Sequence, residues 1–142
     1  MGKRGDFLVN TIIGPGTQVN GVVESPGFTR IDGNVQGDVR VTGRIVIGER
    51  ARLKSNISGT AITVGGVVYG NILASERIII LASALILGDV ITRRIQADEG
   101  CLIHGKVLVC RSDEQWNKAV AEQQDAQRIR TVLSGRSAKQ HI

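Results

Sequence analysis

The stretch Val68-Tyr69-Gly70-Asn71-Ile72 decides the fold, because its pattern recurs along most of the chain. In this five-residue frame a small residue stands in the middle and an aliphatic residue stands at each end, with any residue between them. Counted between the small residues at positions 21, 37, 55, 70, 88 and 105, the steps are 16, 18, 15, 18 and 17 residues. A repeat this short cannot enclose a hydrophobic core alone, so successive repeats must stack and bury their faces on one another. The sequence therefore predicts a solenoid.

The residues that flank each small position indicate which kind of solenoid forms. Both are Val, Ile or Leu in all six copies, and branched aliphatic side chains suit a half-buried strand better than a helix. A turn of about 17 residues at about 3.3 Å per residue has a contour of roughly 56 Å, enough for three short strands and three corners. We therefore expect an all-β fold, a single-stranded triangular parallel β-helix of about six coils.

A second set of apolar residues supports this prediction, because it has nearly the same period. Four isoleucines are spaced by 17, 16 and 17 residues, and a second aliphatic position follows each of them two residues later, on the same face of a strand. The small residue in the frame marks a bend where coils approach closely, and we expect the polar residue after it to face water. The first set is Ile45, Ile62, Ile78 and Ile95, the second is Ile47, Val64, Ile80 and Ala97, and the polar set is Asp38, Asn56, Asn71 and Asp89.

Composition and charge exclude several classes of protein. Apolar residues make up 42% of the chain but aromatic residues only 3%, so aliphatic ladders must fill the interior. The net charge of +5 is spread over strands in which basic and apolar residues alternate, and four dispersed aromatic residues cannot form a base-stacking platform. No specific nucleic-acid partner is expected. With two cysteines and no 18-residue apolar run, we predict a cytoplasmic, reduced protein in which Cys101 and Cys110 are buried small hydrophobes.

Both termini lie outside the repeat, which we assign to residues 11–110. Residues 1–10 are expected to be a flexible segment that either frays or makes weak contact with an anionic membrane surface. Residues 111–142 form a charged tail in which Ser112 and Gln115 fit a capping box and apolar residues at helical spacing predict an amphipathic helix over 113–133. That helix either caps the last coil or belongs to a mobile tail. The residues assigned to membrane contact are Lys3, Arg4, Phe7, Leu8 and Val9.

The two ends of the predicted solenoid carry the functional prediction. An unpaired strand edge templates further pairing, so monomeric solenoids normally cover their terminal turns with polar caps. Here both terminal coils are apolar, and we predict that a rod of roughly 25 to 30 Å, at about 4.8 Å per coil, polymerises end to end. The N-terminal interface is assigned to Ile12, Ile13, Val19, Val22 and Val23, and the C-terminal interface to Leu102, Ile103, Val107, Leu108 and Val109.

The repeat also resembles a known family. The runs Ile31-Asp32-Gly33-Asn34-Val35-Gln36-Gly37-Asp38-Val39, Ile45-Val46-Ile47-Gly48 and Val67-Val68-Tyr69-Gly70-Asn71-Ile72 are similar to those of the bactofilins, bacterial cytoskeletal proteins, over residues 11–109. The resemblance implies a right-handed β-helix with flexible termini that assembles through its ends into filaments without nucleotide. It further implies a scaffold at the inner face of the cytoplasmic membrane, with cell-wall enzymes or membrane proteins as partners besides the chain itself.

The alternative is an enzyme, since left-handed hexapeptide-repeat acyltransferases are also triangular β-helices. His104 could act as the base of such an enzyme, with Asp98 or Glu99 as its partner carboxylate. However, no protruding substrate loop interrupts the coils, and the steps between repeats are not strict multiples of six residues. Two histidines cannot supply a zinc site of three imidazoles. The sequence also lacks the nucleotide-binding motif of a glycine-rich loop followed by Lys and then Ser or Thr. We therefore predict a structural protein with no catalytic, metal or cofactor site, in which His104 faces outward.

Overall fold

The repeats form parallel strands that pair from one repeat to the next in the computed structural model, which describes residues 9–123. The chain divides after Cys110 into two units. The strands of the first unit are β1 (Val9–Ile13), β2 (Gln18–Ser25), β3 (Phe28–Ile31), β4 (Asn34–Val41), β5 (Arg44–Ile47), β6 (Arg52–Val64), β7 (Val67–Tyr69), β8 (Ile72–Ile80), β9 (Leu85–Leu87), β10 (Val90–Thr92), β11 (Ile95–Ala97), β12 (Leu102–His104) and β13 (Val107–Val109).

The pairing sorts these strands into three faces. The first face contains β1, β3, β5, the ends of β6 and β8, and β11. The second contains the starts of β2, β4 and β6, followed by β7, β9 and β12. The third contains the ends of β2 and β4, the middle of β6, the start of β8, then β10 and β13. The predicted parallel β-solenoid of about six coils is thereby confirmed.

The register places the predicted apolar residues in continuous columns. On the second face each aliphatic residue before the small position pairs with its equivalent in the next coil, which gives the column Val19, Val35, Leu53, Val68, Ile86 and Ile103. On the first face the four isoleucines also pair in order, from Ile45 to Ile95. In the inner coils these side chains are 0 to 2% exposed. The aliphatic ladder expected from the scarcity of aromatic residues is the core.

Glycine occupies the bend between the second and third faces for a steric reason. Gly37, Gly70, Gly88 and Gly105 all have φ between +136° and +153°, a region that side chains disfavour. A Cβ at Gly88 would also overlap the carbonyl oxygen of Gly70 in the coil before it. Close stacking of the coils at this corner therefore depends on the missing side chain.

The polar residues after the bends are at least partly exposed, as expected, and three of them also bond to the following coil. The side-chain Oδ1 of Asn56 accepts a hydrogen bond from the backbone N–H of Asn71 at 3.2 Å, and Asn71 Oδ1 accepts one from the N–H of Asp89 at 3.1 Å. Asp89 Oδ1 accepts a third from the N–H of Lys106 at 3.0 Å. Each side chain satisfies a backbone donor of the following coil, so the column links four coils.

The first coil differs from the others. Strand β1 begins at Val9, two residues before the start predicted for the repeat, and Val9 pairs with Phe28. The column that holds isoleucine in coils three to six holds Thr11 and Thr29 in the first two. Thr11 Oγ1 lies 2.9 Å from Ser25 Oγ, whereas Thr29 Oγ1 is buried without a hydrogen-bond partner among the described residues. The interior is therefore more polar at the N-terminal end.

The second unit contains a helix over the described residues 113–123. Its start has the first bond of a capping box, in which Ser112 Oγ accepts from the N–H of Gln115 at 3.2 Å. The return bond is shifted by one residue, because Gln115 Oε1 accepts from the N–H of Arg111 at 2.8 Å and not from that of Ser112. The remainder of the helix predicted to residue 133 lies outside the described residues. Within residues 9–123 no helix is both long and apolar enough to cross a membrane.

Candidate interfaces at the two ends of the solenoid

Exposed apolar side chains are concentrated in the terminal coils. Eight large hydrophobic residues of the described chain are exposed, and all but Tyr69 lie in the first or the last coil. A solvent-exposed apolar side chain is unremarkable when it stands alone, but contiguous patches mark interaction surfaces. The seven are Ile12, Val22, Ile95, Leu102, Val107, Leu108 and Val109.

The C-terminal end exposes the core columns themselves. Val107 is 41% exposed, whereas Val90, the residue it pairs with in the preceding coil, is fully buried. In the same way Ile95 is 36% exposed above the fully buried Ile78. Of the five residues predicted here, Ile103, Val107 and Val109 continue inward-facing columns. The other two, Leu102 and Leu108, alternate with them and point to the sides of the rod.

The N-terminal end shows the same division. Val19 and Val23 are half-buried and continue core columns, whereas Ile12 and Val22 are exposed and point sideways. Ile13 belongs to a core column but is only 6% exposed. Two of the five predicted residues thus lie on the side of the rod, and Ile13 offers little area to a partner.

Both ends also present unpaired strand edges. Within the described part of the chain, β1 and β2 pair only with β3 and β4, and β11, β12 and β13 pair only with β8, β9 and β10. The backbone N–H and C=O groups on the other side of these strands are therefore available for pairing. Each end combines apolar columns with open edges on all three faces.

The structure also places the residues that were considered for an enzyme. His104 is exposed in the last coil, beside Gly105 at the bend, and its backbone carbonyl accepts a hydrogen bond from the N–H of Gly88 at 3.0 Å. Among residues 9–123, no group of three or more His, Cys, Asp or Glu side chains could hold a metal ion. Cys101 and Cys110 are free thiols, the first half-buried and the second buried.

One feature of the second face was not predicted from the sequence. Its outer side carries apolar residues at positions where alternation with the buried column would ordinarily place polar ones. These residues are Val67, Tyr69, Leu85, Leu87 and Leu102. The signal that could have found them was the uninterrupted apolar run in these strands. This run was overlooked because the repeat was defined only by the positions that point into the core.

A family model described as "Bactofilin: Polymer-forming cytoskeletal" matches residues 11–108, more than half of the chain. The chain belongs to the bactofilin family. The resemblance seen in the repeat is thereby confirmed, and so is the prediction of a cytoskeletal protein rather than an enzyme, because the family consists of structural polymers. The matched region contains nearly all of both terminal coils, so the ends described above belong to the family domain.

Two curated bactofilins of Myxococcus xanthus (strain DK1622) are similar to this chain. BacP is 26% identical over 98 residues, which are 69% of this chain but only 41% of BacP. BacO is 24% identical over 105 residues, which are 74% of this chain and 83% of BacO. This bactofilin therefore spans less than half the length of BacP.

A solved structure has the same fold. It is the cryo-EM reconstruction of double helical filaments of Thermus thermophilus bactofilin, to which this chain is 26% identical with a TM-score of 0.68. The similarity covers 70% of this chain and 99% of the Thermus chain. The shared part is thus almost the entire Thermus chain.

Proposed function

We propose that this bactofilin polymerises end to end into a filament in the cytoplasm, without nucleotide. The observation that carries the proposal is the continuation of the core columns, in register, to both ends of the solenoid, where Ile95 and Val107 are exposed although their partners in the coil before are fully buried. A second protomer placed on the end would continue these columns as a seventh coil. The filaments formed by the Thermus relative support this proposal.

The contact between two protomers, which we call the joint, requires both apolar burial and strand pairing to be stable. Full burial of a Val, Leu or Ile side chain contributes about 1.5 to 3 kcal/mol, and the end residues are already partly buried, so each contributes less. Association costs about 4 to 15 kcal/mol in lost translational and rotational freedom. Apolar burial and new ladder hydrogen bonds on three faces must therefore act together. Because these terms need no phosphate hydrolysis, no nucleotide is required.

The test compares two arginine substitutions in the last coil. Val107→Arg places a charge on the end, where it would be buried without a partner, and should abolish filaments in negative-stain electron microscopy and in pelleting assays. Leu102→Arg is the control in the same coil: Leu102 is exposed, at 65% against 41%, but lies in an outward column above the half-buried Leu85. It should leave filaments intact. Equal amounts of polymer from wild type and from folded Val107→Arg would contradict end-to-end assembly.

We further propose that the filament lies near the inner face of the cytoplasmic membrane and serves as a scaffold for cell-shape or cell-wall factors. Family membership supports this role, together with the sequence Lys3-Arg4 followed by Phe7 and Leu8, which lies outside the described residues. Val9, also assigned to membrane contact, is part of β1. The full chain should sediment with vesicles that contain phosphatidylglycerol, and a Lys3→Glu/Arg4→Glu variant should not. Equal sedimentation of the two would argue against this contact.

A further inference from the structure

The outer side of the first face carries a row of arginines. From the second coil to the sixth, each strand on this face has two outward positions, and the register joins them into two columns. One column is Phe28, Arg44, Ala61, Arg77 and Arg94, and the other is Arg30, Val46, Thr63, Ile79 and Gln96. Neither column contains an aspartate or a glutamate, whereas the outward positions of the third face include Glu24 and Asp38.

Three of these arginines, which we call the arginine column, have no ion pair in the described chain. Arg44, Arg77 and Arg94 are exposed and pair with no carboxylate within residues 9–123, whereas Arg30 pairs with Asp32 at 2.9 Å. Arg77 and Arg94 lie in adjacent coils, about 4.8 Å apart along the rod, and Arg44 lies two coils before Arg77. Unpaired cations at this spacing repel one another, so an anion that lies along the column stabilises it.

The arginine column is narrow. The neighbouring outward column is about 7 Å away, at two residues of about 3.3 Å, and presents the uncharged Val46, Thr63 and Ile79 to solvent. The unpaired charge on this face is therefore concentrated in one line over the last four coils, about 14 Å long at about 4.8 Å per coil. A line of this width fits one extended polypeptide chain, since neighbouring strands of a sheet lie about 4.8 Å apart.

The corners on both sides of the first face distinguish an acidic chain from an anionic membrane as the partner. At or beside these corners the acidic residues are Asp32, Glu49, Glu76, Asp98 and Glu99, and the basic ones are Arg50 and Arg93. A flat face that rests on a planar surface brings both of its corners to that surface, so the carboxylates would repel anionic lipid headgroups. A single chain that lies between the corners avoids them.

We propose that the arginine column binds an extended acidic segment of a partner protein; this inference names the chemistry of a partner for the proposed scaffold and rests on that role. Guanidinium groups pair with carboxylates in a bidentate geometry, which a lysine does not offer. Exposed ion pairs are individually weak, so one protomer holds such a segment loosely. A filament repeats the column in every subunit, so a partner that carries several acidic segments is held more tightly.

Two double substitutions with the same net charge provide the test. Arg77→Glu/Arg94→Glu reverses two charges of the arginine column, and Arg52→Glu/Lys54→Glu reverses two exposed charges on the second face. Fluorescence anisotropy measures the binding of a short labelled oligoglutamate peptide to the full chain. The dissociation constant should rise at least about tenfold in the first variant, because two attractive contacts become repulsive, and less than about threefold in the second.

The outcomes separate this inference from the proposed function. Binding is measured both in the wild-type chain and in a Val107→Arg background, where no filaments are expected, so a failure of end-to-end assembly leaves the result unaffected. Failure of the wild-type chain to bind oligoglutamate would overturn the inference while leaving assembly standing. An equal loss in both double variants, or a larger loss in Arg52→Glu/Lys54→Glu, would overturn the arginine column as the site.

Two other anions test the class of partner. Tighter binding of poly(U) RNA or of phosphatidylglycerol vesicles than of oligoglutamate, abolished by Arg77→Glu/Arg94→Glu, would overturn the acidic segment as the occupant of the column. Should that variant misfold by circular dichroism, Arg77→Gln/Arg94→Gln takes its place. This milder variant removes the two charges without reversing them, so the dissociation constant should rise at least about threefold.

Discussion

At the scale of single residues, the bend between the second and third faces sets how closely coils can stack. Its glycines permit contact between backbones, and Asn56, Asn71 and Asp89 each bond to a backbone N–H of the next coil. The first coil provides a natural comparison. Gly21 has φ of +130° like the other bends, but a Cβ there would meet no atom within 4 Å, since its coil is the first among the described residues.

This contrast gives the first prediction, a comparison of Gly88→Ala with Gly21→Ala. Gly21→Ala introduces only backbone strain and should lower the free energy of unfolding by about 1 to 2 kcal/mol. Gly88→Ala adds an overlap with the carbonyl of Gly70 and should cost several kcal/mol, by analogy with overpacked cores. Urea denaturation followed by circular dichroism measures both. Equal losses would show that steric contact between coils does not explain the glycine.

At the scale of elements, a strand is stabilised by the strands before and after it on its face. The central strand β8 pairs with β6 on one side and with β10 and β11 on the other, whereas β11 pairs with β8 alone among the described strands. A residue in β8 is therefore enclosed by two neighbours in its column, and the same residue type in β11 by one. Stability should decline toward the ends of the solenoid.

The second prediction measures this decline with Ile78→Ala and Ile95→Ala, two residues that pair in one column. Ile78 is fully buried, and its truncation should cost about 2 to 5 kcal/mol through lost burial and a residual cavity. Ile95 is 36% exposed and should cost about 1 kcal/mol, since it loses less burial and leaves no enclosed cavity. Chemical denaturation should be measured in a Val107→Arg background, so that polymerisation does not add stability. A cost at Ile95 equal to that at Ile78 would contradict open ends.

At the scale of the whole molecule, the surface charges have little part in the proposed joint. The arginines of the pairs Arg30–Asp32, Arg40–Glu24 and Arg40–Asp38 are each more than half exposed. Exposed pairs of this kind contribute about 0 to 1 kcal/mol. Both ends instead present columns of Val and Ile, so the strength of assembly should depend on apolar burial and not on attraction between charges.

The third prediction concerns the conditions for assembly. Raising the salt concentration from about 50 to 500 mM, which shortens the Debye length several-fold, should change the pelleted fraction by less than about twofold. Cooling should reduce that fraction, because apolar burial weakens on cooling. Adding ATP or GTP should have no effect. Sedimentation and light scattering measure all three, and dissolution of filaments by moderate salt would show that charges hold the joint.

The sequence by itself determined the solenoid, its six coils and the columns from Val19 to Ile103 and from Ile45 to Ile95. It could do so because one short frame repeats, and each copy fixes the register of the next through a bend and two aliphatic positions. It also led to the bactofilin family and to apolar ends as the candidate site.

Only the tertiary structure decided which side chains at those ends continue the core columns and which lie on the outer sides of the strands. Leu102 and Val107 are equally apolar in sequence, yet one points sideways and the other continues the core. Likewise Tyr69 and Leu87 are 18 residues apart and become one surface only when their strands pair. The physical reason is that stacking joins residues one coil apart, and their exposure depends on whether another coil follows.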